Sequence, residues 1–362
     1  MIKAHNSQRK WEQVKDFVID GFDKIHKSEK IFNAQFTEQV EEKIQRVSGR
    51  KYALMCSSGS HAITMSLRAH GINPGDKVVI PNYSAPATLS SVTSMGAIPV
   101  FCDLNKYGMM SAEHLPSCME QGVKAVLATG LYGDIHDHEA VLDFCRKNNT
   151  VYINDAAQSQ FAKYNGVESL GLGDAACMSF ADNKTIPIAG TYGAMLTDDV
   201  DVYNRLRALR SNGKPSRSEE YSTSGYSSKP EEEKAVQMLA SWEHLDQWQK
   251  RRQEIAEHYD SQFKGKIETR PRPAYSEWNA HKYAILVENK FEAYKTMLAE
   301  GVETEQHYTE NFANLSWTPK TDKQFPMTDK FIKQSLTIPN NPFMTDAEVE
   351  IVTKKVLSKL QK

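Results

Sequence analysis

The sequence predicts an α/β protein: a large domain built on a mainly parallel sheet, followed by a smaller C-terminal α+β domain. Three observations carry this expectation. Short apolar runs alternate with segments of helical period between residues 51 and 158. Strands alternating with helices require crossover connections, hence parallel neighbours covered on both faces. After about residue 200 the alternation gives way to helical stretches and a smaller mixed pattern. The large domain is expected over 10–245 and the small one over 246–362, with an N-terminal helix of 8–30 packing on the latter.

Taken in order, residues 8–48 read as helical, since Trp11, Val14, Phe17, Val18 and Phe22 share one 3.6-residue face. "KYALMCS" (51–57) is a strand, and "SHAITMSLRAHG" (60–71) a helix with Gly71 as its C-cap. "DKVVIPN" (76–82) is a strand, "APATLSSVTSMG" (85–96) a helix and "IPVFCDL" (98–104) a strand. "AVLATGLYG" (125–133) is a strand entering a glycine-containing loop. "DHEAVLDFCRKNN" (137–149) is a helix and "TVYINDAAQ" (150–158) a buried strand ending in polar residues. Two more strands, 177–180 and 194–197, flank a loop carrying Lys184. "VDVYNRLRALRSNG" (200–213) is helical, 214–233 a polar loop, and 231–263 one long helix. So long a loop is functional or disordered in a compact domain.

Composition excludes several classes. With 362 residues the chain can bury a substantial core, and a net charge of −2 gives no case for a nucleic-acid or anionic-membrane partner. Cys56, Cys102, Cys118, Cys145 and Cys177 are scattered, without a CxxC pair or a Cys/His cluster of metal-ligand spacing. Reduced, buried thiols and no metal are therefore expected. The amino terminus lacks the apolar core of a signal peptide. No apolar stretch approaches the roughly 20 residues of a membrane span. A cytoplasmic protein without a membrane partner is expected.

In open parallel sheets ligands bind beyond the carboxyl ends of the strands, and four features collect there. The turn Ser58, Gly59, Ser60 joins a strand to a helix, where free N–H groups favour a phosphate; a serine N-cap with a turn glycine explains it as well. Asp155 closes a buried strand and needs a cationic partner, whether a metal, a structural pair or a protonated ring nitrogen. Lys184, preceded by Ser179, is either an ordinary loop lysine or an amine of lowered pKa able to form a Schiff base. His307 and Tyr308, in "VETEQHYTEN", form the fourth.

The order and spacing of these features resemble the fold-type I, pyridoxal-phosphate-dependent sugar aminotransferases, the DegT/DnrJ/EryC1/StrS family. The N-terminal block from "NAQFTEQVEEK" to "IPVFCDL", then "GLYGDIHD", "NDAAQS", "SFADNKTIPIAGTYG", "GYSSKP" and "HYTENF", follow in family order over nearly the whole chain. The resemblance implies that Lys184 is the Schiff-base lysine, holding the cofactor as an internal aldimine and shuttling the substrate proton. It implies that Asp155 pairs with the pyridine nitrogen and that Gln158 lies near the 3′-oxygen. Ser58, Gly59 and Ser60 match the phosphate cup, with Ser179 adding a hydrogen bond. Ser227 and Lys229 stand where the family has Asn and Arg reaching from a neighbouring subunit, which implies a homodimer with active sites at the interface.

Two departures fall on the expected substrate side. Ala85 replaces an aromatic residue that stacks on the ring, with Tyr83 two positions earlier, and Tyr192 replaces a glycine. Tyr83, Ala85, Tyr192, His307 and Tyr308 are accordingly the expected substrate-side residues. Dehydratase relatives carry histidine at the lysine position, so Lys184 favours transamination. The implied reaction is a ping-pong transfer from L-glutamate (or glutamine) to a keto sugar, nucleotide-linked in this family. The alternatives are a different small or phosphorylated ketone, or a non-catalytic binding protein on the same fold. A dinucleotide oxidoreductase lacks its Gly-x-Gly-x-x-Gly turn here.

Overall fold

The computed structural model describes residues 1–28, 34–120, 122–215 and 220–361. Residues 29–33, inside the helical reading of 8–48, and 216–219, inside the loop of 214–233, lie outside the described residues, as do 121 and 362. Helices α1 (Ser7–Lys27) and α2 (Gln35–Ser48) lead into β1 (Tyr52–Cys56), α3 (Gly59–Ala69), β2 (Lys77–Pro81), α4 (Pro86–Thr93) and β3 (Ile98–Cys102). A short helix α5 (Leu115–Cys118) precedes β4 (Val123–Thr129), α6 (His138–Asn148) and β5 (Val151–Asp155). The pairs β6 (Lys163–Tyr164) and β7 (Val167–Glu168) intervene before β8 (Ala175–Ser179), β9 (Gly193–Thr197) and α7 (Val200–Arg210). Then come α8 (Glu232–Trp242), α9 (Leu245–Phe263), β10 (Glu268–Thr269), β11 (Ser276–Glu277) and β12 (Tyr283–Leu286). The chain closes with α10 (Lys290–Ala299), α11 (Pro326–Gln334), β13 (Ser335–Ile338) and α12 (Asp346–Leu360).

The main sheet has the order β1-β9-β8-β5-β4-β2-β3. From β8 to β3 every pairing is parallel, while β9 runs antiparallel between β1 and β8. Because β9 alone is reversed, the carboxyl ends of β1, β2, β4, β5 and β8 open on one edge. Both faces are covered: α3, α4 and α7 pack over one through Ile63, Met65, Leu67, Val92 and Leu206. The other is covered beside β1 and β9 by α2 and α8, through Val40, Ile44, Ala235 and Leu239. Strand residues buried on both sides explain why these runs are apolar without alternation.

The small C-terminal core joins α9, β12, β13, α10 and α12 around Tyr259, Phe263, Ile285, Leu336 and Val352. Its sheet, β10-β12-β13, is antiparallel. The helix read as continuous over 231–263 is two, α8 and α9, broken at Glu243 and His244. No proline or glycine marks this break. The two helices bury their faces in different cores, Ala235 and Leu239 in one and Ile255 and Tyr259 in the other, which a straight rod cannot do.

Helix α1, expected on the small domain, lies along α8 and also touches Trp248 at the start of α9. Val14 and Val18 meet Ala240, and Gly21 sits so close to Val236 that an added Cβ would be 2.3 Å from its Cγ1. It also reaches the C-terminal part: Arg9 forks onto Glu348 and donates to the Phe343 carbonyl, Gln13 Oε1 accepts the Trp248 Nε1–H at 2.8 Å, and Trp248 and Phe343 join the cluster of Val14 and Val18. The amphipathic stripe of α1 is equally compatible with either surface; α8 offers the long apolar face. Further along the chain, Phe312, Ala313 and Phe325 cross back into the core around α3 and α4. That return carries residues 307 and 308 to the open edge of the sheet.

Candidate active site

Strand β1 ends at Cys56, and Ser58 follows in extended conformation (φ −165°, ψ 160°) as the N-cap of α3. Its hydroxyl accepts the His61 N–H at 3.2 Å. Ser57, Ser58, Gly59 and Ser60 are half-buried, leaving the first N–H groups of α3 available to an anion. The turn is crowded from beneath. A Cβ on Gly59 would stand 2.7 Å from Ser179 Cβ, and one on Gly193 would stand 2.4 Å from the Ser58 carbonyl carbon. Glycine at both places lets β1, β8 and β9 converge and brings Ser179 against the turn.

Asp155 ends β5 and is 3% exposed. Its carboxylate accepts the Ala157 N–H at 3.1 Å and the Thr88 hydroxyl at 3.4 Å. Burial pushes its pKa up, partly offset by the Ala157 N–H and the charge of Lys184. A buried carboxylate with two modest neutral donors has room for a cationic partner. Lys184, in the loop between β8 and β9, feels the same burial from the other sign. Desolvation takes its amine down to about 8, opposed by Asp155 and Glu305 and assisted by Lys282. The sequence-predicted lysine and aspartate are thus within electrostatic reach of one another.

Gln158 follows in the turn after β5. Its amide donates to the Tyr308 hydroxyl at 2.5 Å, and its carbonyl oxygen accepts the Tyr132 N–H at 3.1 Å. Tyr83 is fully buried, its hydroxyl 2.7 Å from that of Tyr132; it donates to the His307 carbonyl and accepts the Tyr308 N–H at 2.7 Å. Its ring meets Tyr308 edge-on at 5.5 Å. Tyr83 is committed to holding the segment of His307 and Tyr308, whose connecting peptide is cis. Lys290, fully buried, donates to the Tyr308 carbonyl at 2.6 Å.

The structure therefore brings together Ser58, Gly59, Ser60, Ser179, Asp155, Gln158, Lys184, Tyr83 and Tyr308 around the carboxyl edge. Ala85 caps α4 at its half-buried start and offers only a methyl group. Tyr192 departs from expectation: its side chain is turned into the core with Phe180, away from the substrate side, its hydroxyl near the Glu231 carbonyl. The two-residue period of β9 is the reason. Tyr192, Ala194 and Leu196 share one face of the strand and Met195 the other. Ser227 and Lys229 are exposed, and within the chain it is Ser228 that touches the serine turn. Its Oγ lies 2.8 Å from Ser57 Oγ and 3.0 Å from His61 Nδ1.

Thr88, Tyr132, Lys282, Lys290 and Glu305 were not found from the sequence. Thr88 lay within a legible helix, one turn past Ala85. The others come from loops and from the small domain, and a buried lysine leaves no local signature. Among the described residues no group of three or more His, Cys, Asp or Glu side chains could hold a metal, and no helix is long and apolar enough to cross a membrane.

The serine–glycine turn, the under-partnered carboxylate and the low-pKa amine fit an organic phosphate carrying an aldehyde and a basic ring nitrogen. Comparison with known proteins places this geometry. The family model described as the DegT/DnrJ/EryC1/StrS aminotransferase family matches residues 12–357. The chain is 27% identical to the "pleiotropic regulatory protein" of Geobacillus stearothermophilus, over 96% of this chain and 95% of that one. It is 25% identical to UDP-2-acetamido-2-deoxy-3-oxo-D-glucuronate aminotransferase of Pseudomonas aeruginosa, over 97% and 98%. A DegT DnrJ EryC1 StrS aminotransferase structure from Brucella abortus superposes with a TM-score of 0.94 at 21% identity, covering 100% of both chains, which shows the fold.

Proposed function

Because the chain belongs to the DegT/DnrJ/EryC1/StrS aminotransferase family, we propose that it moves an amino group from L-glutamate or glutamine to a keto sugar carried on a nucleotide, in a ping-pong cycle dependent on pyridoxal 5′-phosphate. The observation that carries the reading is that Lys184 and Asp155 lie within electrostatic reach of one another at the carboxyl edge of the sheet: an amine lowered to about 8 and a buried carboxylate with a cation's place to spare. The relative in Pseudomonas, named for a UDP-linked 3-keto sugar, supports the substrate class.

When bound, the cofactor supplies an aldehyde that captures amines and a ring that takes up electron density. Ser58, Gly59, Ser60 and Ser179 would hold its phosphate through the turn and the start of α3. Asp155 would keep the ring nitrogen protonated, its charge in turn oriented by Ala157 N–H and Thr88. Lys184 Nζ would take a proton from the substrate carbon and return it to the carbon on the other side of the transferred nitrogen. An amine near pH 8 has usable amounts of both forms at neutral pH, which a general base and acid needs. Gln158 fixes Tyr308, and Tyr83 with Tyr132 fixes the backbone of 307–308, so this wall is rigid before substrate arrives.

A homodimer in a cytoplasmic setting accompanies this reading, with Ser227 and Lys229, both exposed, free to meet a second copy. A non-catalytic role gains some support from the regulatory name of the Geobacillus relative. The retained Lys184 and Asp155 argue for chemistry. Glutamate with a panel of nucleotide-linked 3-keto and 4-keto sugars, read by product mass, tests the proposal. Cofactor bound through Lys184 but unchanged by every amino donor would leave the sensor reading instead.

A further inference from the structure

Arg252 interrupts an apolar stripe. The buried face of α9 is Trp248, Arg252, Ile255, Ala256, Tyr259 and Phe263, at helical spacing. Arg252 is 5% exposed, and its Nη1 is wholly buried with no hydrogen-bond partner among the described residues. Burial is the sole influence on its acidity, which falls to about 10, with no carboxylate to offset it. Guanidinium stays charged at working pH, and an isolated buried charge is costly. Something absent from the chain itself is needed opposite it.

Opposite it is a cavity of about 30 Å³ whose wall also holds Lys184, Lys282, His281 and Asn340. At ~10–15 Å³ of such space per water, it accommodates a pair of waters or one carboxylate group. His281 and Asn340, residues of the same wall, each also hold one wholly buried side-chain atom without a partner, Nδ1 and Oδ1. Two other cations of the wall are paired, Lys10 with Asp182 at 2.5 Å and Lys282 with Glu305 at 2.6 Å. Lys184 feels the charge of Asp155, with no ion pair between them among the described residues. Arg252 has no carboxylate acting on it at all.

We propose that this cavity is the subsite for a carboxylate of the amino-acid donor, with Arg252 as its cation and Lys282 beside it. The inference rests on the aminotransferase reading above. A donor's α-carboxylate stands one carbon from the amine it surrenders, so its cation must share a cavity with Lys184; Arg252 does. A free inorganic anion offers the same charge, and the test separates the two.

Holoenzyme and its Arg252→Met variant are compared in two ways. Succinate, which cannot react, is titrated against thermal unfolding, with sodium chloride at matched ionic strength as the second arm. The glutamate half-reaction is followed from the cofactor's absorbance. Succinate is expected to stabilise the wild type saturably and the variant not at all. The glutamate concentration for half-maximal conversion is expected to rise roughly 10- to 100-fold in the variant, the worth of a charge-assisted hydrogen bond, with the limiting rate changed far less. An unchanged glutamate requirement in the variant overturns the subsite and leaves the aminotransferase standing. Equal stabilisation by chloride and succinate makes the site one for a free anion and also overturns it. Wild-type holoenzyme that saturably binds succinate yet is converted by no amino donor overturns the donor assignment together with the function. Should Arg252→Met not fold, Arg252→Gln carries the same comparison.

Discussion

Lys184 owes its lowered pKa to where the β8–β9 loop places it. Desolvation takes its pKa from 10.5 to about 8, so the amine is mostly charged at pH 7 and mostly neutral at pH 9. Capture of pyridoxal phosphate, read by absorbance, is expected to accelerate as pH rises through about 8. The same shift means that between about 8 and 10.5 the folded chain binds fewer protons than the unfolded one. Its contribution to apo-protein stability therefore rises with pH across that window. Lys184→Ala is expected to lower transamination by at least about 10²-fold, toward 10⁴, without loss of helical signal. Asp155→Asn separates chemistry from architecture. With two modest donors and burial against it, the carboxylate adds little to the apo-fold, so the variant should unfold at an unchanged or higher urea concentration while its transamination fails. A variant that unfolds early would make Asp155 a structural pair. Tyr83→Phe removes one hydroxyl that serves Tyr132, the His307 carbonyl and the Tyr308 N–H. A loss of about 1–3 kcal/mol in urea unfolding is expected, because buried polar partners are left unmet.

Between elements, α1 packs tightly on α8, where Gly21 leaves no room above Val236. Gly21→Ala gains helix propensity of up to about 1 kcal/mol. It must also push apart two helices whose contact includes Val14, Val18 and Ala240. A net destabilisation of about 1–3 kcal/mol is expected from overpacking, seen as a lower melting temperature. An unchanged melting temperature would mean that α1 shifts freely on α8. Element identity was legible in the sequence wherever period and caps agreed, as for α3, whose serine cap and following Gly71 (φ +83°) bracket the apolar face. The break between α8 and α9 was not legible. Its cause is the divergence of two cores rather than any residue at 243 or 244.

For the whole molecule, the strand order converts four separate stretches into one site. Parallel β1, β5 and β8 end on the same edge, so Ser58, Asp155 and Ser179 meet although about a hundred residues separate the first two. The small domain contributes Tyr308, Lys282 and Glu305 by crossing back over that edge. At this scale the proposed homodimer is testable by sedimentation velocity: a species of about twice the 40.9 kDa chain mass is expected. Activity per chain should fall on dilution once that species dissociates. A monomer with full activity would show that Ser227 and Lys229 play no part across an interface.

The order of motifs along the chain, read by itself, determined the mainly parallel architecture and pointed to Lys184 and Asp155, since strand ends and glycine turns are local properties of a few consecutive residues. Tertiary structure alone decided what those residues face. Tyr192 entered the core because strand parity assigned it there, Tyr83 became a support because Tyr132 and residue 307 arrive from elsewhere, and Arg252 is buried without a carboxylate beside it because it lies on the inward face of α9. Burial and electrostatics depend on neighbours distant in sequence, and no window of consecutive residues contains them.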